Sequence, residues 1–217
     1  MPQTLAIIGG SGPEGRGLAL RFAMAGYPIV IGSRDASRAT EAALGLLDIN
    51  AGLPITGAAN TDAASQADWT LLSVPYEALG ATIQALAPVL ADKLVTSVVA
   101  PLAFEGGIAK AVAVPQGSAA ELVASLLPDS RVTSAFQNLS ARDLLKPEIA
   151  LAGDVLVCGN DGDARAQTIE LAASIKSLRG VDAGDLSNSR YVEDLTALLL
   201  NVKKRYKAHS TIKLIGL

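Results

Sequence analysis

Gly10-Ser11-Gly12-Pro13-Glu14-Gly15 fits the spacing G-x-G-x-x-G, whose chemistry is anion binding by main-chain groups. Gly10 is expected to permit a tight turn, Gly12 to let a pyrophosphate approach the backbone, and Gly15 to let a helix pack on a strand. The N–H groups of the first helical turn and the helix dipole would then face the phosphates. Glu14 falls close to that anion, where a carboxylate repels phosphate. Its side chain is expected to turn to solvent or to accept first-turn N–H bonds. The hexapeptide is weak evidence alone, and its setting makes it specific. It follows the apolar run Leu5-Ala6-Ile7-Ile8 and opens a stretch of helical spacing.

A second cluster lies where a dinucleotide site reads the adenosine ribose. An NAD site places Asp or Glu about 20 residues beyond the glycines. Here that region holds Gly32-Ser33-Arg34, with Arg38 one helical turn further on. A guanidinium is a planar fork that binds phosphate through paired, charge-assisted bonds. Ser33, Arg34 and Arg38 therefore predict a 2′-phosphate pocket and NADP(H). Asp35 is the competing ribose acid, but its place just before a helix suits an N-cap better.

Two more strand ends can border a ligand: Ser73-Val74-Pro75-Tyr76 and Val99-Ala100-Pro101-Leu102. Both are apolar and stiffened by proline. They would orient a nicotinamide ring without offering an acid or base, or proline simply ends each strand. Acid–base equipment is scarce elsewhere. His209 is the only histidine and stands among Lys203, Lys204, Arg205 and Lys207, as a solvated surface residue would. No metal-ligand spacing and no Ser-His-Asp set occurs. Tyr76, Lys93 and Lys110 do not form a Tyr-x-x-x-Lys pair. No catalytic side chain is assigned. This scarcity favours hydride exchange between two ring systems, where the protein supplies stacking and orientation.

Around these residues the pattern alternates strand and helix. Strands are expected at 5–8, 29–31, 55–58, 69–74 and 93–99. Helices are expected at 17–25, 35–47 and 76–90, with a brief one capped near Thr61-Asp62. Gly26 should stop the first helix. Further on come a helix at 118–127, strands at 131–136 and 154–158, a helix at 162–178, a strand at 179–182 and a long helix at 187–207. The fold class is α/β: a Rossmann-type, doubly wound parallel sheet with a small C-terminal α/β annex. The boundary is expected within 140–153, giving an NADP-binding domain over 1–145 and a small domain over 146–217. The latter would contribute to the acceptor site and to dimerisation. The apolar end, residues 212–217, is expected to pack back onto the sheet or across a dimer interface.

Composition narrows the function classes. Of 217 residues, 50% are hydrophobic and 18% charged, enough apolar content for a sizeable core and unlike a disordered chain. A net charge of -3 leaves no basic footprint for nucleic acid. Cys158 is the only cysteine, so no internal disulfide framework is possible. No leader or membrane-spanning run is visible, and a cytoplasmic protein is expected.

The chain resembles the coenzyme F-420-dependent NADP reductases along nearly its whole length. The resemblance rests on Ile7 through Gly15, on Gly17-Leu18-Ala19-Leu20-Arg21, on Ile31-Gly32-Ser33-Arg34, on Ser118-Ala119-Ala120-Glu121 and on Val157-Cys158-Gly159. Its most distinctive part is Asp182-Ala183-Gly184-Asp185-Leu186-Ser187-Asn188-Ser189-Arg190, followed by Val192-Glu193 and Leu195-Thr196. The resemblance implies hydride transfer between NADPH and a deazaflavin ring stacked on the nicotinamide. It implies that residues 11–14 hold the pyrophosphate and that Ser33, Arg34 and Arg38 hold the 2′-phosphate. Val74, Pro75 and Tyr76 would border the nicotinamide, to which the strand-end reading adds Pro101. Residues 136–141, including Gln137, Leu139 and Ala141, would form the wall for the second ring. Where such reductases carry His and Pro in this wall, the chain has Gln137 and Ser140, so a flavin is an alternative second ring. Two other readings stay open: an NADPH-dependent reductase of a small carbonyl or imine with Tyr76 as donor, and a non-enzymatic NADP(H) sensor.

Overall fold

The computed structural model describes residues 2–208 and 210–217. His209 lies outside the described residues. Strands β1 (Leu5–Ile8), β2 (Ile29–Ser33), β4 (Trp69–Leu72) and β5 (Leu94–Ser97) are buried at every position. That is the pattern of a sheet covered on both faces. With β3 (Ile55–Ala59), β8 (Arg131–Ser134), β9 (Gly153–Gly159) and β10 (Leu178–Asp182) they form one eight-stranded sheet, ordered β10-β9-β8-β5-β4-β1-β2-β3.

Period-two alternation divides the core between the two faces. Leu5 and Ile7 face a cluster with Leu18, Phe22, Ala43, Leu46 and Leu171. These come from α1 (Pro13–Met24), α2 (Ala36–Leu47) and α7 (Gly162–Ser174). Ala6 and Ile8 face a second cluster with Ala63, Leu79, Ile83, Leu86 and Val123. Those come from α3 (Asn60–Gln66), α4 (Tyr76–Leu90) and α5 (Ala119–Leu126). The chain winds outward through β1, β2 and β3, then returns to β4 on the other side of β1. This switch point opens a crevice above the carboxyl ends of β1 and β4.

Several local expectations need correction. The first helix starts at Pro13, not 17, because proline at the first helical position already has helical φ and lacks only an N–H the helix would leave unused. Gly26 ends the turn after it with φ +95°, as expected. No side chain of Thr61 or Asp62 caps α3; its cap position is Ala59. The sheet is parallel except where β8 meets β9 antiparallel. The hairpin β6 (Leu102–Glu105) and β7 (Ile108–Ala111) was not anticipated. It turns at Gly106 and Gly107, both at positive φ, the demand of a tight two-residue hairpin turn. The last helix, α8 (Ser189–Tyr206), begins after a short 3-10 turn at Leu186–Asn188.

The C-terminal tail runs along the sheet edge. Asp154 accepts from Arg179 Nε at 2.9 Å, from its Nη2 at 2.7 Å and from the Leu214 amide at 2.6 Å. Ile215 and Leu217 nevertheless stay exposed. Among the described residues no helix is long and apolar enough to cross a membrane.

Candidate active site

The glycine loop follows β1 directly. Gly9 has φ +77°, and a Cβ there would stand 2.5 Å from the Ser73 carbonyl. The left-handed turn therefore belongs to Gly9, one residue before the expected Gly10. At Gly10 the constraint is space, since a Cβ would meet the Ile7 carbonyl at 2.6 Å. A Cβ on Gly15 would meet the Gly10 Cα at 2.6 Å, so this glycine lets α1 close onto the loop. Gly12 is different: its nearest neighbour would be 3.4 Å away, and it lines the crevice. Gly10 and Gly15 thus act beneath the surface, whereas Gly12 leaves backbone open to a ligand.

A crevice of about 450 Å³ lies above this loop, within the usual range for small-molecule sites. It brings together Ser11, Gly12, Pro13, Glu14, Ser33, Arg34, Arg38, Val74 and Pro75. Tyr76 and Pro101 are not among its lining residues. Tyr76, the first residue of α4, packs half-buried against the core, and Pro101 is buried with its carbonyl accepting from Val112. Proline had marked the right strand end but the wrong residue, since Val98, Val99 and Ala100 form that wall. Sequence reasoning also missed Asn60 and Thr82. The readable signal for Asn60 was its position just past the third strand.

The crevice brings Ser33, Arg34 and Arg38 together with Asp35. Ser33 is buried at the tip of β2, while Arg34 and Arg38 are exposed at the rim. Neither arginine forms a salt bridge among the described residues. Asp35 caps α2: its Oδ1 accepts from the Ser37 amide at 2.9 Å and from the Ser37 hydroxyl at 2.7 Å. These bonds hold its carboxyl below the usual carboxylate range.

A second cleft of about 440 Å³ adjoins the first, and Pro13 and Glu14 line both. Gln137, Leu139, Ser140 and Ala141 form one wall; Thr196, Leu200 and Lys203 of α8 form another. The Gln137 amide is fixed by its neighbours. Its Nε2 donates to Ser134 Oγ at 2.6 Å and to the Ser97 carbonyl at 3.3 Å, and a carbonyl can only accept. Its Oε1 is buried without a hydrogen-bond partner. The wall itself begins at Phe136, a non-glycine residue at φ +75°, stacked edge-on to Phe22 at 5.5 Å. Positive φ at a bulky residue persists only where surrounding packing enforces it.

Glu14 is half-buried: it keeps some contact with solvent, while its Oε1 is shielded and has no hydrogen-bond partner among the described residues. Burial raises its pKa to about 8, opposed only in part by Lys203. Among the described residues no group of acidic, histidine or cysteine side chains could hold a metal ion.

The distinctive late motif acts on this second cleft through α8. Asp182 Oδ1 accepts from the Gly184 amide at 2.8 Å, and Asn188 donates to the Ala183 carbonyl, fixing the turn into the helix. Glu193 then accepts from the amides of Ala119 and Ala120, joining α8 to the start of α5. Thr196 reaches the cleft and accepts from Asn138.

Comparison with known proteins agrees with this arrangement. The sequence profile described as NADP oxidoreductase, coenzyme F-420-dependent, matches residues 4–101. The F-420-dependent NADP reductase of Methanocaldococcus jannaschii is 40% identical, over 95% of each chain. That of Methanothermobacter thermautotrophicus is 38% identical, over 97% of this chain and 93% of the relative. In fold, the chain superimposes with a TM-score of 0.83 on a crystal structure described as a putative F-420-dependent NADP reductase from Arthrobacter sp., at 24% identity and covering 98% and 99% of the two chains. With its glycine loop, its two adjoining clefts and relatives matched from end to end, this chain belongs to the F-420-dependent NADP reductase family.

Proposed function

We propose that the protein transfers a hydride between NADP(H) in the first crevice and coenzyme F-420 in the second. The observation that carries this reading is that Pro13 and Glu14 line both clefts, so the two sites are neighbours.

The residues present suit both partners. Gly12 leaves backbone accessible to a pyrophosphate, and the first-turn N–H groups of α1 have no intrahelical acceptor. Ser33, Arg34 and Arg38 suit an extra ribose phosphate, while Asp35 is engaged as a cap. Val74, Val98 and Val99 offer an apolar wall for the nicotinamide. On the other side, Gln137, Leu139, Thr196 and Leu200 offer a mixed polar and apolar wall for a deazaflavin. The deazaflavin supplies a carbon able to take up a hydride. The protein's part is to align donor and acceptor carbons about 3 to 3.5 Å apart in a dry slot. Tyr76, the donor considered for a carbonyl or imine reductase, does not line either cleft, which disfavours that reading.

The test follows NADPH absorbance after addition of F-420, FMN or a simple cyclic imine. Turnover with F-420 far above the others is the expected result. Turnover with the imine alone, or tight NADPH binding without turnover on any acceptor, overturns the proposal.

A further inference from the structure

Hydride transfer leaves one requirement unmet. The nicotinamide gives up two electrons and one proton as hydride, but the reduced acceptor carries a second proton on a ring nitrogen. A group beside the acceptor can supply that proton, and the geometry points to Glu14. We propose that Glu14 stands as a neutral carboxylic acid between the two clefts and supplies the proton that the acceptor ring takes up with the hydride. The inference rests on the functional reading above.

Glu14 is placed for this at the first turn of α1, lining both the nucleotide crevice and the second cleft. Its Oε1 is shielded and receives no hydrogen bond, which a stabilised carboxylate would require. Among the described residues no structural partner accounts for the shielding of this oxygen. A charged carboxylate here would also face the pyrophosphate held by the adjacent loop. A neutral acid removes that repulsion and has a proton to give. Burial accordingly shifts its pKa to about 8.

The surrounding charges fit the other half of the cycle. On α8, Lys203 is the cation whose field acts on Glu14. From α6 (Ala141–Leu144), Arg142 lines the same cleft, while Asp143 is buried beneath it. Arg34, Asp35 and Arg38 stand at the ribose end of the nucleotide crevice. Of the bases on its own helix, Arg16 reaches toward Gly45 on α2, and Arg21 is engaged by main-chain carbonyls. Lys203 is thus the group suited to steady the carboxylate once the proton has left. In the balanced step, the Glu14 carboxyl O–H breaks and an N–H forms on the acceptor ring. Meanwhile the hydride leaves C4 of the nicotinamide for the acceptor carbon. NADPH, acceptor and one proton become NADP+ and reduced acceptor, and Glu14 regains its proton from water.

Glu14→Gln keeps shape and neutrality but has no acidic proton, so it separates the two claims. NADPH titrated without acceptor should bind the wild type several-fold more weakly as pH rises past 8, the value at which Glu14 ionises. Binding to Glu14→Gln should stay level. With F-420 present, Glu14→Gln should lower kcat by about 10²-fold, at the low end for loss of a general acid. It should also lose the alkaline fall in kcat that the wild type shows, and Glu14→Asp should restore part of that limb. Wild-type kcat in Glu14→Gln with the same alkaline limb overturns the proton-donor role. Identical pH dependence of NADPH binding in both proteins overturns the neutral acid. Failure of the wild type itself to turn over F-420 defeats the underlying function instead, while the binding comparison still judges the state of Glu14.

Discussion

Arg34 and Arg38 both line the crevice, and neither forms a salt bridge among the described residues. Each charge-assisted bond to a phosphate contributes roughly 1.5 to 3 kcal/mol. Replacing both by Ala should therefore weaken NADPH by about 10²-fold or more and leave NADH nearly unchanged. Isothermal titration with the two nucleotides checks this, and equal losses for both would sink the 2′-phosphate assignment. Asp35 gives the complementary case. Its carboxylate is spent on Ser37, so Asp35→Ala should cost α2 about 1 kcal/mol of capping with little effect on nucleotide choice.

The wall of the second cleft depends on elements that hold it from both sides. On the α1 side, the buried Arg21 donates to the carbonyls of Leu144 at 2.8 Å, Asp143 at 2.7 Å, Lys146 at 2.5 Å and Ile149 at 3.0 Å. On the α8 side, Asn138 donates to the Val192 carbonyl and to Thr196 Oγ1, both at 3.0 Å, and Thr196 donates to the Gln137 carbonyl. Arg21→Ala would leave buried carbonyls without donors, at a cost of roughly 3 kcal/mol in urea unfolding. Because those carbonyls belong to α6 and the turn beyond it, the KM for F-420 should rise while that for NADPH stays near wild type. An unchanged F-420 KM would show that the wall does not need this brace.

Across the whole molecule, the buried Glu193 and the half-buried Glu14 should make stability fall as pH rises. Burial raises Glu193 from 4.5 to about 7 and Glu14 from 4.5 to about 8. The folded chain then keeps protons that the unfolded chain has already released. Their favourable contribution is complete below pH 4.5 and is lost as pH rises through 7 and 8. For Glu193 the slope is about 1.4 kcal/mol per pH unit within its window. The lowered Asp35, Asp154 and Asp182 act in the opposite sense, but only as pH falls below 3.8. Thermal midpoints should therefore decline between pH 5 and pH 7, where both groups act, and Glu193→Gln should reduce that decline while the share of Glu14 remains. A rising midpoint across the same range would mean that the two helix-terminal amides outweigh the burial of Glu193.

Sequence alone determined what short-range physics controls. The apolar runs of β1 and β2 can only be buried strands, and Gly12 and Gly15 mark a phosphate turn by spacing. Ser118 and Glu121 announce the start of α5, where the Glu121 amide donates to Ser118 Oγ at 3.0 Å. The arginines after β2 were legible because their place is counted along one chain segment. Tertiary structure decided whatever depends on residues far apart in sequence. Whether Glu14 meets solvent depends on α8, nearly the whole chain away. The second cleft exists only because α1, the Phe136 turn and α8 converge. The antiparallel β9 was equally hidden, since strand direction follows from how the connecting segment packs rather than from the strand's own residues. A side chain's type and spacing fix its local conformation, but its charge state is fixed by what folds over it.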